Sequence, residues 1–245
     1  MPPAPLPSAG RRVAAWAAHA FTASGVLWGL LALLCVARAE YREALAFLIV
    51  ALVVDSVDGI LARWARVKET TPQFDGALLD NLVDYVNYVF VPAVLLHEAH
   101  LLPPSSALLG SALICLASAY QFCQADAKTS DHFFVGFPSY WNVVAFYLFL
   151  GGLDPRVNLA IVAFFVIMVF VPIKWVYPSR TARFRGVTLV ASALWGAICI
   201  AILVQHPTVA PWLLPASLVY IGYGMAVSVV LGLSGRREPA PASGC

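Results

Sequence analysis

The sequence predicts an all-α integral membrane protein of about eight transmembrane helices, and three observations predict it. Hydrophobic residues make up 61% of the 245 and charged residues only 11%, against roughly 25% charged in an ordinary soluble domain. Apolar runs recur along the whole chain, most of them near the ~20 residues that a helix needs to cross the ~30 Å hydrocarbon core. The basic residues gather in alternate loops, as the positive-inside rule requires of a multi-pass protein.

The apolar segments fall at 13–36, 41–62, 76–96, 105–123, 138–152, 157–173, 186–204 and 210–233. The first, 24 residues from Val13 to Val36, follows Arg11 and Arg12 and so imitates a secretory signal. It is longer than the roughly 7–15 residues of a signal core, and is read as a retained span. The second and third each carry two aspartates within an apolar run, and the fourth is rich in leucine and alanine. The fifth is short and aromatic, running through Tyr140, Trp141, Phe146, Tyr147 and Phe149, which leaves a tilted, re-entrant or interfacial placement open. The last three are long, apolar and plain. Residues 13–233 are expected to form one transmembrane catalytic domain, with 1–12 and 234–245 as tails rich in Pro, Ala, Ser and Gly.

Placing both termini in the cytoplasm puts Arg11, Arg12, Arg63, Arg66, Lys68, Lys128, Lys174, Arg180, Arg183, Arg185, Arg236 and Arg237 inside, and only Arg38, Arg42 and Arg156 outside. That asymmetry sets the orientation and calls for an even number of crossings, the fifth included. The net charge of +2, spread over many short loops, argues against nucleic acid as a partner. The five cysteines form no C-x-x-C pair and read as packing residues, not a disulfide frame or a zinc site.

Four of the 13 acidic residues, Asp55, Asp58, Asp80 and Asp84, lie in the second and third segments. Carboxylates at membrane depth are costly and default to function. Asp55 and Asp58 are spaced i, i+3 and Asp80 and Asp84 i, i+4, so each pair projects from one helix face. One helix runs toward the cytoplasm and the next runs back, which lets the pairs face each other near one membrane surface. All-oxygen ligation favours Mg²⁺ or Mn²⁺ over zinc. Two such ions would hold a diphosphate and stabilise the entering and leaving oxygens of a displacement at phosphorus. Gly59, Ala62 and Gly76 leave space beside these carboxylates, and Arg63 offers a cation to a phosphate oxygen. Any one of them alone reads equally well as a packing residue or a snorkelling arginine.

The runs Asp55-Ser56-Val57-Asp58-Gly59-Ile60-Leu61-Ala62-Arg63 and Gly76-Ala77-Leu78-Leu79-Asp80-Asn81-Leu82-Val83-Asp84 resemble the signature of the CDP-alcohol phosphotransferases. The resemblance implies a bundle of that family's kind and two Mn²⁺ or Mg²⁺ ions on Asp55, Asp58, Asp80 and Asp84. Asp84 would also act as the catalytic base that activates an acceptor alcohol, and Gly59, Ala62, Arg63 and Gly76 would line the cytidine-diphosphate site. Twelve residues, Trp64 to Asp75, separate Arg63 from Gly76, a longer spacer than most of the family has. That spacer, with His19 to Gly25 (HAFTASG), Asp126 to Asn142 (DAKTSDHFFVGFPSYWN) and Lys174 to Thr181 (KWVYPSRT), is similar to the bacterial phosphatidylcholine synthase branch. The resemblance covers nearly the whole chain. It implies condensation of choline with CDP-diacylglycerol in the bacterial inner membrane, with membrane lipid as the surrounding partner, and it leaves room for a homodimer.

A quaternary ammonium is held by aromatic faces and a nearby carboxylate. Tyr85, Tyr88, Tyr140 and Trp141 are the candidates for choline, against the plainer reading of an interfacial aromatic belt. Lys174 and Arg180 are candidates for the lipid phosphate, while Arg183 and Arg185 fit topology alone. His132 reads as an exposed loop residue, and His97, Glu98 and His100 as a polar loop at the opposite face. Two rivals stand beside this reading. One is the same chemistry on serine, glycerol 3-phosphate or inositol. The other is a divalent-metal transporter, against which the carboxylates cluster at one face and Arg63 would repel a permeating cation.

Overall fold

The computed structural model describes residues 8–124, 133–176 and 185–234. Helix α1 (Ala9–Ala37) and α2 (Tyr41–Trp64) are followed by a single turn, α3 (Val67–Thr70), and by α4 (Gly76–Tyr85), which continues through a wide π turn (Val86–Phe90) into α5 (Val91–Glu98). Then come α6 (Ala107–Cys123), strand β1 (Phe133–Val135), α7 (Trp141–Gly151), α8 (Pro155–Phe170), strand β2 (Lys174–Val176), α9 (Arg185–Gln205) and α10 (Leu213–Ser234). The eight apolar segments are all helical, as an integral membrane protein with no water for its backbone demands. Among the described residues four helical stretches, α1, α2, Gly76–Glu98 and Gly186–Gln205, are long and apolar enough to cross a bilayer by themselves. Their outer faces carry exposed apolar side chains such as Val13, Trp64 and Val204, the composition that lipid requires.

Contacts divide the chain into two compact units, Met1–Ser118 with Tyr140–Leu159, and Ala119–Ser139 with Ala160–Cys245. In the first, α1 lies along α2 and also packs on the α4–π–α5 rod. The second contact depends on a G-x-x-x-G stripe, Gly25 to Gly29. A methyl on Gly25 would collide with Val83, and one on Gly29 would stand 2.5 Å from Asn87 Oδ1 and 3.0 Å from Val86 Cγ1. Small residues here let two helix backbones approach, and the Asn87 amide donates to the Gly25 carbonyl at 3.0 Å across the gap.

The π turn has a local cause. Pro92 has no N–H to give the Tyr88 carbonyl one turn back, and its ring crowds that oxygen. The chain widens just before it, with the Val91 N–H bonding the Val86 carbonyl five residues earlier. Helix α7, the doubtful fifth segment, has 11 residues and is about 16 Å long, roughly half a hydrocarbon core. Its Trp141, Ala145, Phe146 and Leu148 are buried within the protein, and the Trp141 indole donates to Ser118 Oγ at 2.8 Å.

In the second unit β1 and β2 pair antiparallel, with Phe133 opposite Val176 and Val135 opposite Lys174. This pair joins two of the stretches noted in the sequence. Gly136 follows at φ +77, where a side chain would strike the Val169 carbonyl, so glycine is required on both conformational and steric grounds. The Gln121 amide donates to the Val135 carbonyl at 2.8 Å. Helices α9 and α10 are linked by hydroxyl pairs, Thr188 with Tyr223 at 2.8 Å and Ser192 with Tyr220 at 2.7 Å.

Candidate active site

Helices α2 and α4 bring the aspartates together as their spacing predicts. Asp55, Asp80 and Asp84 each offer a carboxylate oxygen, and the three oxygens lie within 4.8 Å of one another. All three residues are half-buried. Such a set of converging oxygens fits a hard divalent cation. Asp58, one turn further along α2, falls outside that trio. It is buried at 6% exposure, near Asp55 and Asp80 and near Thr22 of α1, whose hydroxyl donates to the Ala18 carbonyl at 3.3 Å.

The small residues of the motif divide into two kinds. Over Gly59 a methyl would meet only the Arg63 guanidinium, at 3.2 Å, so the exposed Arg63 side chain lies back along α2 over Gly59. Gly76 instead faces protein: a methyl there would stand 2.9 Å from the His19 ring. Ala62, on α2 between Gly59 and Arg63, is half-buried. Asp75 caps α4, its Oδ1 accepting the N–H groups of Ala77 and Leu78 at 3.0 Å, which fixes where the helix carrying Asp80 and Asp84 begins.

The long spacer between Arg63 and Gly76 is not a plain loop. Arg66 turns it through a left-handed conformation, α3 makes one helical turn, and His19 fastens it with an Nε2 to Thr71 Oγ1 contact of 2.9 Å. The Thr71 hydroxyl itself donates to the Val67 carbonyl at 3.0 Å, so the imidazole is the donor to Thr71. The His19 ring also packs on Phe74, their centroids 4.5 Å apart.

The four aromatic candidates differ in their surroundings. The Tyr88 hydroxyl donates to Asp55 Oδ2 at 2.7 Å, and its ring meets Tyr140 edge to face at 6.4 Å. Tyr140 is half-buried. Tyr85 donates to the Cys115 carbonyl at 2.9 Å, and Trp141 is wholly buried. Lys174 contributes its backbone to β2. Arg180, Arg183 and the polar stretch 126–132, with Lys128 and His132, lie outside the described residues. His97 pairs with Glu98 at 3.1 Å on an exposed helix end.

The reading of the sequence passed over His19, Thr22 and Asn87 as contributors to the site. Their signal was present: polar side chains and glycines at helical spacing inside an apolar run mark a packed face.

No family model matches the chain. Curated proteins do. The chain is 40% identical over 222 residues to a phosphatidylcholine synthase of Legionella pneumophila, covering 88% of this chain and 87% of that one. It is 40% identical over 200 residues to a phosphatidylcholine synthase of Pseudomonas aeruginosa, covering 82% and 84%. With a phosphatidylcholine synthase of Rhizobium johnstonii it shares 33% over 217 residues, covering 89% and 90%.

Proposed function

The chain belongs to the phosphatidylcholine synthase family, and from that premise we propose that it condenses choline with CDP-diacylglycerol, giving phosphatidylcholine and CMP, at the aspartate cluster of α2 and α4. It is a multi-pass membrane phosphatidyltransferase. The observation that carries the finer reading is the convergence of carboxylate oxygens of Asp55, Asp80 and Asp84 within 4.8 Å of one another.

Asp55, Asp58, Asp80 and Asp84 would hold two Mn²⁺ or Mg²⁺ ions, whose chemistry is to neutralise the donor's diphosphate and stabilise charge on the entering and leaving oxygens. Arg63 and the open flank of Gly59 would receive the diphosphate, with the cytidine end extending past Ala62 toward Gly76. Asp84 would take the proton of the choline hydroxyl. The choline oxygen then bonds to the phosphorus bearing diacylglycerol, the bond from that phosphorus to the bridging oxygen breaks, and CMP leaves with the electron pair. The rings of Tyr88 and Tyr140, with Tyr85 and Trp141 behind them, would hold the trimethylammonium group near carboxylate charge. Lys174 and Arg180 would meet the lipid phosphate. The bacterial relatives support an inner-membrane location, and the distribution of lysine and arginine supports placing both termini and the aspartates on the cytoplasmic side.

The test is incubation of the purified protein with CDP-diacylglycerol and a panel of alcohols, in Mn²⁺, in Mg²⁺ and in EDTA, with the lipid product identified by mass. Choline should be the best acceptor, ahead of dimethylethanolamine and ethanolamine, because each methyl removed exposes an N–H that an aromatic cage does not satisfy. Product should be absent in EDTA. If serine, inositol or glycerol 3-phosphate is the preferred acceptor, the choline assignment fails while the transferase chemistry stands.

A further inference from the structure

We infer that the Tyr88 hydroxyl is a positioning group for the metal site, acting through Asp55 by holding one carboxylate oxygen so that the other is aimed at the ion. The inference rests on the metal-binding role proposed above for the aspartates.

Three observations carry it. Tyr88 is buried at 5% exposure, so its hydroxyl must find a partner inside the protein, and that partner is Asp55 Oδ2 at 2.7 Å. This is a short, charge-assisted bond of the stronger kind. The ring has little freedom, because it lies in the π turn (Val86–Phe90) and meets Tyr140 edge to face, interplanar angle 88°. The turn itself places Tyr88. Residues 80, 84 and 88 step around an ideal α-helix by about 40° for every four residues. The wider turn slows that rotation, keeping Tyr88 on the side of Asp84 that faces α2. Pro92 makes the turn, and so belongs to the same device.

A phenol on a ligating carboxylate is the outer-shell arrangement that orients metal ligands, and its loss costs about 10–100-fold in affinity or activity in known sites. A ring that served only to contact choline would use its face, and would need no hydroxyl on a carboxylate.

The experiment measures Mn²⁺ binding directly, by the paramagnetic resonance signal of free Mn²⁺, on the purified full-length protein, on Tyr88→Phe, on Asp55→Asn and on the double variant. Choline and CDP-diacylglycerol Michaelis constants are measured alongside. Tyr88→Phe keeps the ring and removes only the hydroxyl. It should weaken Mn²⁺ binding about tenfold, a loss that a role of the ring alone, which this variant keeps, would not produce. In the Asp55→Asn background the same substitution should add little, since the group it acts through is already altered. Equal Mn²⁺ affinity in Tyr88→Phe and the unsubstituted protein would overturn the inference and leave the metal site intact. A tenfold loss that persists undiminished with Asn at position 55 would also overturn it, by showing that Tyr88 acts elsewhere. If the unsubstituted protein binds no Mn²⁺ saturably, the metal reading falls, and this inference with it.

Discussion

Replacing Asp80 by asparagine should stabilise the protein in chelator and remove its stabilisation by metal, a reversal that no ordinary half-buried residue would produce. The oxygens of Asp55, Asp80 and Asp84 lie within 4.8 Å of one another. Two ionised carboxylates at that distance repel by about 3.5 kcal/mol at an effective dielectric constant near 20. Asp80 belongs to two such pairs. Water around these half-buried groups and the shape-keeping amide reduce the net relief to about 1–2 kcal/mol. For a chain of this size, that is a rise of about 2–8 °C in melting temperature. The assay is thermal unfolding of the purified protein in detergent, followed by tryptophan fluorescence, in EDTA and in Mn²⁺. The unsubstituted protein should melt lower than Asp80→Asn in EDTA and rise with Mn²⁺, while the variant should scarcely respond. A variant that melts lower in EDTA and keeps the full Mn²⁺ response would refute the reasoning, because the cluster would then not be a site of mutual repulsion that a cation relieves.

Asp84→Asn should lower turnover by about 10²–10⁴-fold, the range for losing a general base, while CDP-diacylglycerol still binds. Near-normal turnover at neutral pH would move the base elsewhere. Gly29→Ala should destabilise the protein by about 1–3 kcal/mol through overpacking against Asn87 and Val86. Gly196→Ala, where nothing lies within 4 Å of the added methyl, should change stability by less than about 0.5 kcal/mol. Matched thermal unfolding of the two variants checks this pair.

The helices were legible because lipid makes hydropathy and length nearly sufficient. The third segment, expected at 76–96, is Gly76–Glu98, and the eighth, expected at 210–233, is Leu213–Ser234. The i, i+3 and i, i+4 spacings likewise fixed which helix faces carry the aspartates. What escaped was set by distant partners. The turn α3 has four residues, too short to announce itself by periodicity, and it is tied down by His19, 52 residues away. Each strand of the β1–β2 pair has three residues and is defined only by its partner some forty positions on. The π turn did leave a mark, since Pro92 inside an apolar helix calls for a local rearrangement.

The position of α1 follows from these same facts. His19, Thr22, Gly25 and Gly29 recur at three- and four-residue intervals, so they form one stripe along that helix. His19 meets Thr71 and Gly76, Thr22 lies near Asp58, Gly25 receives the Asn87 amide, and Gly29 admits Asn87 and Val86. A single face of α1 therefore touches the spacer, the buried aspartate of α2 and the rod that carries Asp80, Asp84 and Tyr88. In a bilayer the hydrophobic effect does not choose one helix neighbour over another, so close backbone approach and buried hydrogen bonds must do it. The stripe from His19 to Gly29 thus packs α1 against both helices that carry the aspartates, α2 and α4.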